Sequence, residues 1–599
     1  RITLNAPIAR AQITPATPGA AFTQSSGHTI NGYGQITAAL TNNGLVSADV
    51  PSQGLVLTSS PLANNAQMQA VGGATLALTG ATVTQAPSAT ITADGTGSAV
   101  QLNGAAVVGG TLRAVNGGVI TVITGDSAIE SLSLTGESQI TSTRTLTATG
   151  NIAHTGRMLV NLTSGQSAGI LRVADGVVFT GNGRITLNAP GARAQITPAT
   201  PGAAFTQSPG HTIDGFGQVT AALTNNGLVS ANVPSQGLIL STAPQTNNAQ
   251  MRAVDGATLA LIGTTVTQAS GAAITADGAG SVVQLNGSTI VGGTLQAVNG
   301  GVITVLNADS AIHSITLAGD SQISTSRTLD VTGDVTHTGN MVVNPLVNLA
   351  ASSLRVADGV TFTGNGRITL NAPGARAQII PATSGATFTQ AAGHTIAGYG
   401  QISASMINNG LVSADAPPQP LTISTAPQTN NARMQAVNGT TLALVGTTVT
   451  QGPSATITAD GAGSVVQLNG ATIAGGTLQA VNGGVISVIN ADATIDGLTF
   501  AGDCQILNGR TLSVTSDVTH AGHMVVNPAV NLAASSLRVT DGVTLTGNGR
   551  ITLNAPGVRA QIIPDSAGAA LNLGPGQRLE GIGLIGAQLN LDGTLAPGL

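Results

Sequence analysis

The sequence predicts an all-β fold, a right-handed parallel β-solenoid, and two observations support this prediction. The chain repeats itself almost letter for letter every 183 residues, so that the segment beginning at Arg1 returns at Arg184, Arg367 and Arg550. Inside each repeat, short β-branched stretches alternate with glycine-containing turns. A solenoid gains length from such repetition because each added coil covers the open edge of the one before it.

The repetition divides the chain into three near-identical units and a remainder. We expect β-solenoid repeat units at residues 1–183, 184–366 and 367–549, and a partial, divergent fourth unit at 550–599. From Ala567 onward the fourth unit departs from the others, and terminal solenoid repeats usually differ because they cap the stack or join another module. We therefore predict a transition or cap at 550–599.

The composition argues for a narrow aliphatic core and against helix. Hydrophobic residues make up 42% of the 599 residues but aromatic residues only 2%, with no Trp. This apolar share excludes a disordered segment. All 19 basic residues are Arg, and only three of the 24 acidic residues are Glu. Lys and Glu suit exposed helices, whereas Asp, Asn and Gly suit turns, so helix should be negligible.

The strands are predicted from stretches of four to six residues such as 75–78 and 118–123, bounded by Asn-Gly, Asp-Gly or Gly-Gly. Apolar residues alternate within them, which indicates one buried and one wet face. Related phrases return roughly every 20 to 27 residues, the size of one coil. A series of sandwich domains is the alternative, but it would need larger core aromatics.

About eight coils would fill one unit, which gives a rise of about 38 Å per 183 residues and a rod on the order of 125 Å for the chain. We expect Asn and Thr at the turns to stack on their equivalents above and below as hydrogen-bonded ladders. Two proline-containing segments, 51–67 and 194–209 with their copies, are predicted to be longer loops or bulges that leave the coil, because Pro interrupts a strand.

Histidine recurs at two positions of the repeat. One set is His28, His211 and His394, and the other is His154, His337 and His520. Members of one set lie about 38 Å apart in such a solenoid, so they cannot share a metal ion. We predict satisfied histidines in turns or at the surface. His520 and His523 form one close pair, but a pair without a third ligand is a weak metal signal.

Other polar positions have simple structural interpretations. Cys504 is the only cysteine, so no disulfide can form within the chain. Asp-Gly pairs are predicted to be turns, because the tandem nonapeptide of calcium-binding solenoids is absent; they begin at Asp94, Asp277, Asp460, Asp175 and Asp358. Three Arg and Asp pairs share a coil, and we expect exposed ion pairs there, or contacts to a sugar or a neighbouring chain; they are Arg172 with Asp175, Arg355 with Asp358, and Arg538 with Asp541.

No catalytic, cofactor-binding or metal-binding residue is predicted, and no cofactor. Solenoid polysaccharide lyases and hydrolases need clustered acidic and basic residues, which the thinly spread charges do not provide. Ice binding would need Thr-x-Thr in a run at coil spacing. The formal net charge of −5 and the absence of a basic stripe argue against nucleic acid. No apolar run approaches the roughly 20 residues of a transmembrane helix.

The phrases at 292–303 and 590–598 resemble secreted bacterial β-solenoid proteins, namely autotransporter passengers and haemagglutinin-type adhesin repeats. This resemblance implies export, display on the bacterial cell surface, and adhesion or a stalk-like spacing role. Because Arg1 and Leu599 both interrupt repeats, targeting signals are expected outside this segment.

We therefore predict a non-enzymatic extracellular structural or adhesive protein, a rigid solenoid of a bacterial surface adhesin, stalk or filament. The alternative is a carbohydrate-binding or carbohydrate-cleaving β-helix. The expected partners are further copies in filaments or bundles, a surface polysaccharide, or a host or cell-surface ligand. A purely architectural polymer of this chain is a second alternative.

Overall fold

A computed structural model describes residues 1–7, 10–58, 61–162, 167–347, 350–507, 509–529 and 533–598. It consists of two compact units, Arg1–Ile303 and Thr304–Leu599. In each unit the chain winds as a solenoid of parallel strands, which confirms the predicted fold class. The right-handed winding stays a prediction.

The strands are short, and they follow the same order in each copy of the repeat. The first copy contains β1 (Ile2–Asn5), β2 (Gln12–Ile13), β3 (Ala21–Gln24), β4 (Thr29–Ile36), β5 (Ala39–Asn42), β6 (Leu45–Ala48), β7 (Gly54–Leu57), β8 (Leu62–Asn64), β9 (Gln67–Val71), β10 (Thr75–Thr79), β11 (Thr82–Gln85), β12 (Thr90–Asp94), β13 (Ala99–Asn103), β14 (Ala106–Val108), β15 (Thr111–Val115), β16 (Val119–Val122), β17 (Ser127–Glu130), β18 (Ser133–Ile140), β19 (Thr145–Thr149), β20 (Asn151–Val160), β21 (Gly169–Val173) and β22 (Val177–Thr180).

The second copy contains β23 (Arg184–Asn188), β24 (Ala194–Pro198), β25 (Ala204–Gln207), β26 (Thr212–Val219), β27 (Ala222–Asn225), β28 (Leu228–Ala231), β29 (Gly237–Ser241), β30 (Gln245–Asn247), β31 (Gln250–Ala253), β32 (Thr258–Ile262), β33 (Thr265–Gln268), β34 (Ala273–Asp277), β35 (Val282–Asn286), β36 (Thr289–Val291), β37 (Thr294–Val298), β38 (Val302–Val305), β39 (Ser310–His313), β40 (Ile315–Ala318), β41 (Ser321–Ile323), β42 (Thr328–Val331), β43 (Val335–Thr338), β44 (Asn340–Val343), β45 (Ser352–Val356) and β46 (Thr361–Thr363).

The third copy contains β47 (Arg367–Asn371), β48 (Ala377–Pro381), β49 (Thr387–Gln390), β50 (Thr395–Ile402), β51 (Ser405–Asn408), β52 (Leu411–Ala414), β53 (Leu421–Ser424), β54 (Gln428–Asn430), β55 (Arg433–Val437), β56 (Thr441–Val445), β57 (Thr448–Gln451), β58 (Thr456–Asp460), β59 (Val465–Asn469), β60 (Thr472–Ala474), β61 (Thr477–Val481), β62 (Val485–Val488), β63 (Ala493–Asp496), β64 (Thr499–Ile506), β65 (Thr511–Val514), β66 (Val518–Val526), β67 (Ser535–Val539) and β68 (Val543–Thr546).

The remainder contains β69 (Arg550–Asn554), β70 (Ala560–Pro564), β71 (Ala570–Leu573), β72 (Arg578–Ile582), β73 (Leu584–Ile585), β74 (Gln588–Leu591) and β75 (Thr594–Pro597). The described helical elements are three short 3-10 turns that each follow a proline: Gly191–Arg193, Gly374–Arg376 and Gly557–Arg559. A helix long and apolar enough to cross a bilayer is absent from the described residues.

One coil consists of three sheet positions, because most strands pair in parallel with the strand three positions before them and the strand three positions after them. Thus β10 pairs with β7 and with β13, and Leu76 stands in register with Leu55 and Val100. All three side chains are fully buried. Burial of each contributes about 1.5–3 kcal/mol, and the alternation of inward and outward residues gives the core its narrow aliphatic filling.

The two proline-containing segments do not leave the coil as predicted. In residues 194–209, β24 and β25 pair with β21 and β22 of the preceding coil. Pro198 ends β24, and Pro201 lies in the turn that follows it, where no ladder donor is lost. In residues 51–67, β7 and β8 likewise join the ladder, although Ser59 and Ser60 lie outside the described residues. The longer-loop prediction was wrong because proline at a strand end or in a turn costs the sheet nothing.

A copy of the repeat does not fill a whole number of coils. The first copy has 22 strands, but β4, β18 and β20 each pair with two strands on at least one side and so occupy two sheet positions. The resulting 25 positions make eight and a third coils of three strands. In unit Arg1–Ile303, therefore, β23 stacks in the column of β2, whereas its counterpart β1 belongs to the column of β22.

The same displacement occurs in unit Thr304–Leu599. There β47 and its counterpart β69 belong to neighbouring columns, since the column of β47 continues through β66 into β68 while β69 stacks on the second half of β66. Within each unit, the later copy of the sequence is thus shifted by one face of the solenoid.

Candidate functional site

His154, Gly183 and His211 stack in three successive coils. The Gly183 amide donates to the carbonyl oxygen of His154, and the Thr212 amide donates to the carbonyl oxygen of Gly183. Because Gly183 has no side chain, the two imidazoles meet across its coil, with Nδ1 of His154 2.9 Å from Nε2 of His211. A Cβ on Gly183 would lie 2.5 Å from Cγ of His154, inside its ring contacts. We call this arrangement the histidine pair.

The pair is enclosed by apolar groups. Both histidines are 0% exposed, and the Phe179 ring lies 5.6 Å from the His211 ring and 6.4 Å from the His154 ring, measured between centroids. Burial lowers the pKa of His154 to about 4. Burial, and then the neighbouring His154, lower the pKa of His211 to about 3. Both rings are therefore neutral at physiological pH.

The pair recurs once and is then altered. His337 and His394 repeat it, with the same 2.9 Å separation of Nδ1 and Nε2 and pKa values lowered to about 4 and about 3 by burial. In the next copy Nδ1 of His520 lies 3.0 Å from the side-chain oxygen of Gln577, which occupies the position of His211. The hydrogen bond is kept there with one titratable ring in place of two.

The turn location is confirmed for His28, His211 and His394, whose amides each close a backbone turn, and His28 is half-buried. The predicted surface location is wrong for the five histidines of the two sets other than His28. His154, His211, His337, His394 and His520 are at most 1% exposed. The prediction treats the two sets of histidines separately, whereas each pair in the structure joins one histidine from each set. Gly183, with Gly366 and Gly549 in the next copies, is the sequence signal that could have shown this, since it lies near the middle of each 57-residue interval.

His520 and His523 are not brought together. Both belong to β66, but His520 faces the core while His523 faces outward. Nε2 of His523 lies 2.9 Å from the Thr552 hydroxyl, and an Arg550 guanidinium nitrogen lies 3.0 Å from Nδ1 of His523. Among the described residues, no group of three His, Cys, Asp or Glu side chains could hold a metal ion.

His523 belongs to a row of polar and charged side chains on three successive coils, which we call the charged ladder. Asp503 stands in register with His523, and His523 with Arg550. The first-copy equivalents, Glu137, Arg157 and Arg184, show the same register. In the second copy Asn340 stands in register with Arg367, and Asp320 immediately precedes β41 beside them.

Each ladder arginine at the start of a copy is compensated by a carboxylate, which comes from the same repeat position for Arg184 and Arg550 and from another position for Arg367. Arg184 pairs with Asp214, Arg367 pairs with Asp415 at 2.7 Å, and Arg550 pairs with Glu580 at 3.5 Å. The arginines keep 51%, 40% and 48% of their side-chain area exposed. A partly exposed guanidinium held by one acid still presents donors to a partner.

The predicted Arg and Asp pairs within one coil do not form. Asp175, Asp358 and Asp541 each accept a hydrogen bond from a backbone amide of the next coil, at 2.9–3.0 Å. Arg355 instead makes a two-pronged contact with Asp330, at 2.5 and 2.6 Å. Asp175, Asp358 and Asp541 therefore stabilise the backbone of the next coil and do not pair with the arginines of their own coil.

Polar ladders at the turns are confirmed. In the core-side corner, the Asn225 amide donates to Asn247 at 2.8 Å, and the Asn247 amide donates to Gln268 at 3.1 Å, all three side chains being buried. On the outside the Asp-Gly turn at Asp277 accepts a hydrogen bond from Asn299 at 2.7 Å. These turns use their oxygens within the protein, as the turn interpretation requires.

Two further features bear on chemistry. Cys504 is buried, and burial followed by the nearby Asp503 charge raises the pKa of its thiol to about 12. An open groove of about 390 Å³ is lined by residues that include Pro381, Ser403, Thr425 and Pro427, and no acid, base, His or Cys lines it. Neither feature offers a nucleophile beside a base.

No protein-family model matches this chain, and no curated protein matches its sequence at a significant level.

Proposed function

We propose that this chain is a non-enzymatic structural and adhesive segment of an extracellular protein on a bacterial surface, belonging to an adhesin, stalk or filament. The observation that carries the proposal is the charged ladder, whose register recurs in every copy, with Asn340 in the middle position of the second copy. Only 7% of the residues are charged, yet Glu137, Arg157 and Arg184 or their equivalents concentrate on three adjoining coils. Repeating such a surface multiplies weak contacts into avidity.

The ladder suits a carbohydrate or another polar surface. Its donors and acceptors are guanidinium, imidazole, hydroxyl and carboxylate groups presented side by side, at a coil spacing of about 4.8 Å. Acid and base compensate one another, so the ladder attracts no strongly charged polymer. We propose a surface polysaccharide as the partner, and association between copies of the chain as the second contact of the same surface.

Binding without cleavage is favoured by the ionisation state of Glu580, the carboxylate that pairs with Arg550. The hydrogen bond from Arg578 holds the pKa of Glu580 below its usual range, with Arg550 and Thr552 adding to the effect. A general acid needs the opposite shift, toward neutral pH. Glu580 is therefore an ionised acceptor, suited to hydrogen bonding a hydroxyl group.

The test compares two variants that copy residues already present in the repeat. Arg157→Asn with His523→Asn introduces at both positions the residue found at 340, whereas Arg113→Gln introduces the residue found at 296 and 479. Binding of the 599-residue chain to a panel of bacterial and host polysaccharides, and its self-association by sedimentation velocity, are measured. We expect at least a fivefold weakening in the first variant and none in the second.

Two results would overturn the proposal. One is the absence of both polysaccharide binding and self-association in the unmodified chain. The other is turnover of a polysaccharide that Glu580→Gln abolishes, which would establish the carbohydrate-cleaving alternative.

A further inference from the structure

The histidine pair has no counter-charge. His154 is the titratable group that shifts the pKa of His211, and no charged group shifts the pKa of His154. In the next copy His337 lowers the pKa of His394 in the same way. The elements packed against the first pair contribute Phe179 from β22, the Gly183 backbone, and the Gln207 side chain from β25, which donates to the His211 carbonyl oxygen at 2.9 Å. None of these groups can neutralise an imidazolium.

The ring nitrogens that face away from the partner ring also have no hydrogen bond within the described part of the chain. Nε2 of His154 and Nδ1 of His211 are buried without a hydrogen-bond partner among the described residues, and the same holds for the corresponding atoms of His337 and His394. A first added proton would therefore bury a charge, with only the bond between the rings to offset it. A second would leave two N–H donors facing each other at 2.9 Å.

We propose that each histidine pair is an acid-labile joint, at which protonation opens the three coils that contain it while the neighbouring coils stay closed. The coils are held by parallel ladders, so local opening exposes strand edges and the apolar core. The geometry places such joints at His154 with His211 and at His337 with His394. This inference depends on the fold alone and not on the proposed polysaccharide binding.

The sign of the effect follows from the two states. A histidine in the open coil titrates near 6.5, whereas the closed pair titrates near 4 and 3. The open state therefore binds more protons below about pH 6.5, and the stability of the joint falls as the pH falls from 6.5 toward the pKa values of the closed pair.

The chain supplies its own matched variant. Gln577 keeps the hydrogen bond to His520 without a second ring, so His211→Gln with His394→Gln should preserve the closed joints and remove one titrating group from each. Hydrogen exchange of the full chain is followed by mass spectrometry at pH 7.5, 5.5 and 4, as protection relative to the intrinsic exchange rate. Peptides that cover β20, β23 and β26 are compared with peptides that cover β31 to β36.

We expect the joint peptides of the unmodified chain to lose at least tenfold more protection than the comparison peptides between pH 7.5 and 4, and the double variant to lose much less. If the double variant folds poorly at pH 7.5, the joint at His520 and Gln577 in the unmodified chain takes its place and should open less than the two histidine pairs. Uniform loss along the chain, or equal loss in chain and variant, would overturn the proposal.

Discussion

Gly183 lies directly against the imidazole of His154, one coil away. A Cβ at Gly183 would lie 2.5 Å from Cγ of His154 and 2.7 Å from its carbonyl oxygen. Since the ring is enclosed and the carbonyl belongs to the ladder, neither can move aside. We therefore expect Gly183→Ala to destabilise these coils by about 2 kcal/mol or more. Local opening free energies from hydrogen exchange would measure the loss.

Gly271→Ala is the control for this prediction. A Cβ there would have no neighbour within 4 Å, and we expect a change of less than about 0.5 kcal/mol. Equal stability of the two variants would contradict the close stacking of Gly183 on His154.

Asn247 and Asn248 are adjacent but should differ sharply in their response to alanine. Asn247 is buried, and it accepts from Asn225 and donates to Gln268 and to the Ala273 carbonyl oxygen. Its removal leaves buried partners without a hydrogen bond, so we expect the free energy of unfolding to fall by about 2 kcal/mol. Asn248 makes an exposed bond to Asn226 and should cost less than about 0.5 kcal/mol. Urea-induced opening of this region would distinguish the two, and similar costs would argue against a buried ladder.

Asp214 can be exchanged with Asn232 as a pair. Asp214 is 1% exposed, and it accepts from Arg184, from the Thr186 hydroxyl at 2.8 Å and from Asn232 at 3.0 Å. Asp214→Asn alone removes the carboxylate beside Arg184 and should cost about 1–2 kcal/mol.

Adding Asn232→Asp should recover most of the stability that Asp214→Asn loses. The first copy already has this arrangement, with Asn31 donating to Asp49 at 2.7 Å. Thermal unfolding of the single and double variants gives the comparison. A double variant no more stable than the single one would show that the site needs its carboxylate at position 214.

Cys504 should be inert in the folded protein. Burial raises the pKa of its thiol to about 12, so the reactive thiolate is scarce at pH 8 and also inaccessible. We expect alkylation at least 100-fold slower than in denaturant, followed by mass spectrometry. Thr84→Cys in a Cys504→Ser chain is the positive control, because Thr84 is exposed on β11. Rapid labelling of native Cys504 would mean that its coil opens readily.

The solenoid was predictable because its rules are local. Alternating residues such as those of β10 indicate a strand with one buried face, and glycine and asparagine at fixed positions indicate where it turns. Pairs such as Asn225 and Asn247 follow from stacking equivalent turns. The number of sheet positions per coil was not predictable, because a strand such as β4 turns a corner at Gly32 and Gly34 inside one continuous run, so that a single strand occupies two sheet positions.

The histidine pairs were not predictable either, because their formation depends on the number of residues in each coil. Whether His154 meets His211 is decided by which residue of the coil between them lies at the same corner, and by its being Gly183. The charged ladder was not predictable for the same reason, since Asp503, His523 and Arg550 are neighbours only once the register is known. Long-range register is set by summed coil lengths, which no single motif encodes.

The fractional coil count has an evolutionary consequence for a gene made of near-identical copies. Unequal recombination adds or removes 183 residues at a time. The strand pairing can continue after such a change, because the junction between copies is the same each time: β23 follows β22 as β47 follows β46. Because a copy fills eight and a third coils, strand pairing resumes one column further round the coil after each added copy. A lineage that changes its copy number would therefore place the same residues in a different column with no change in any amino acid.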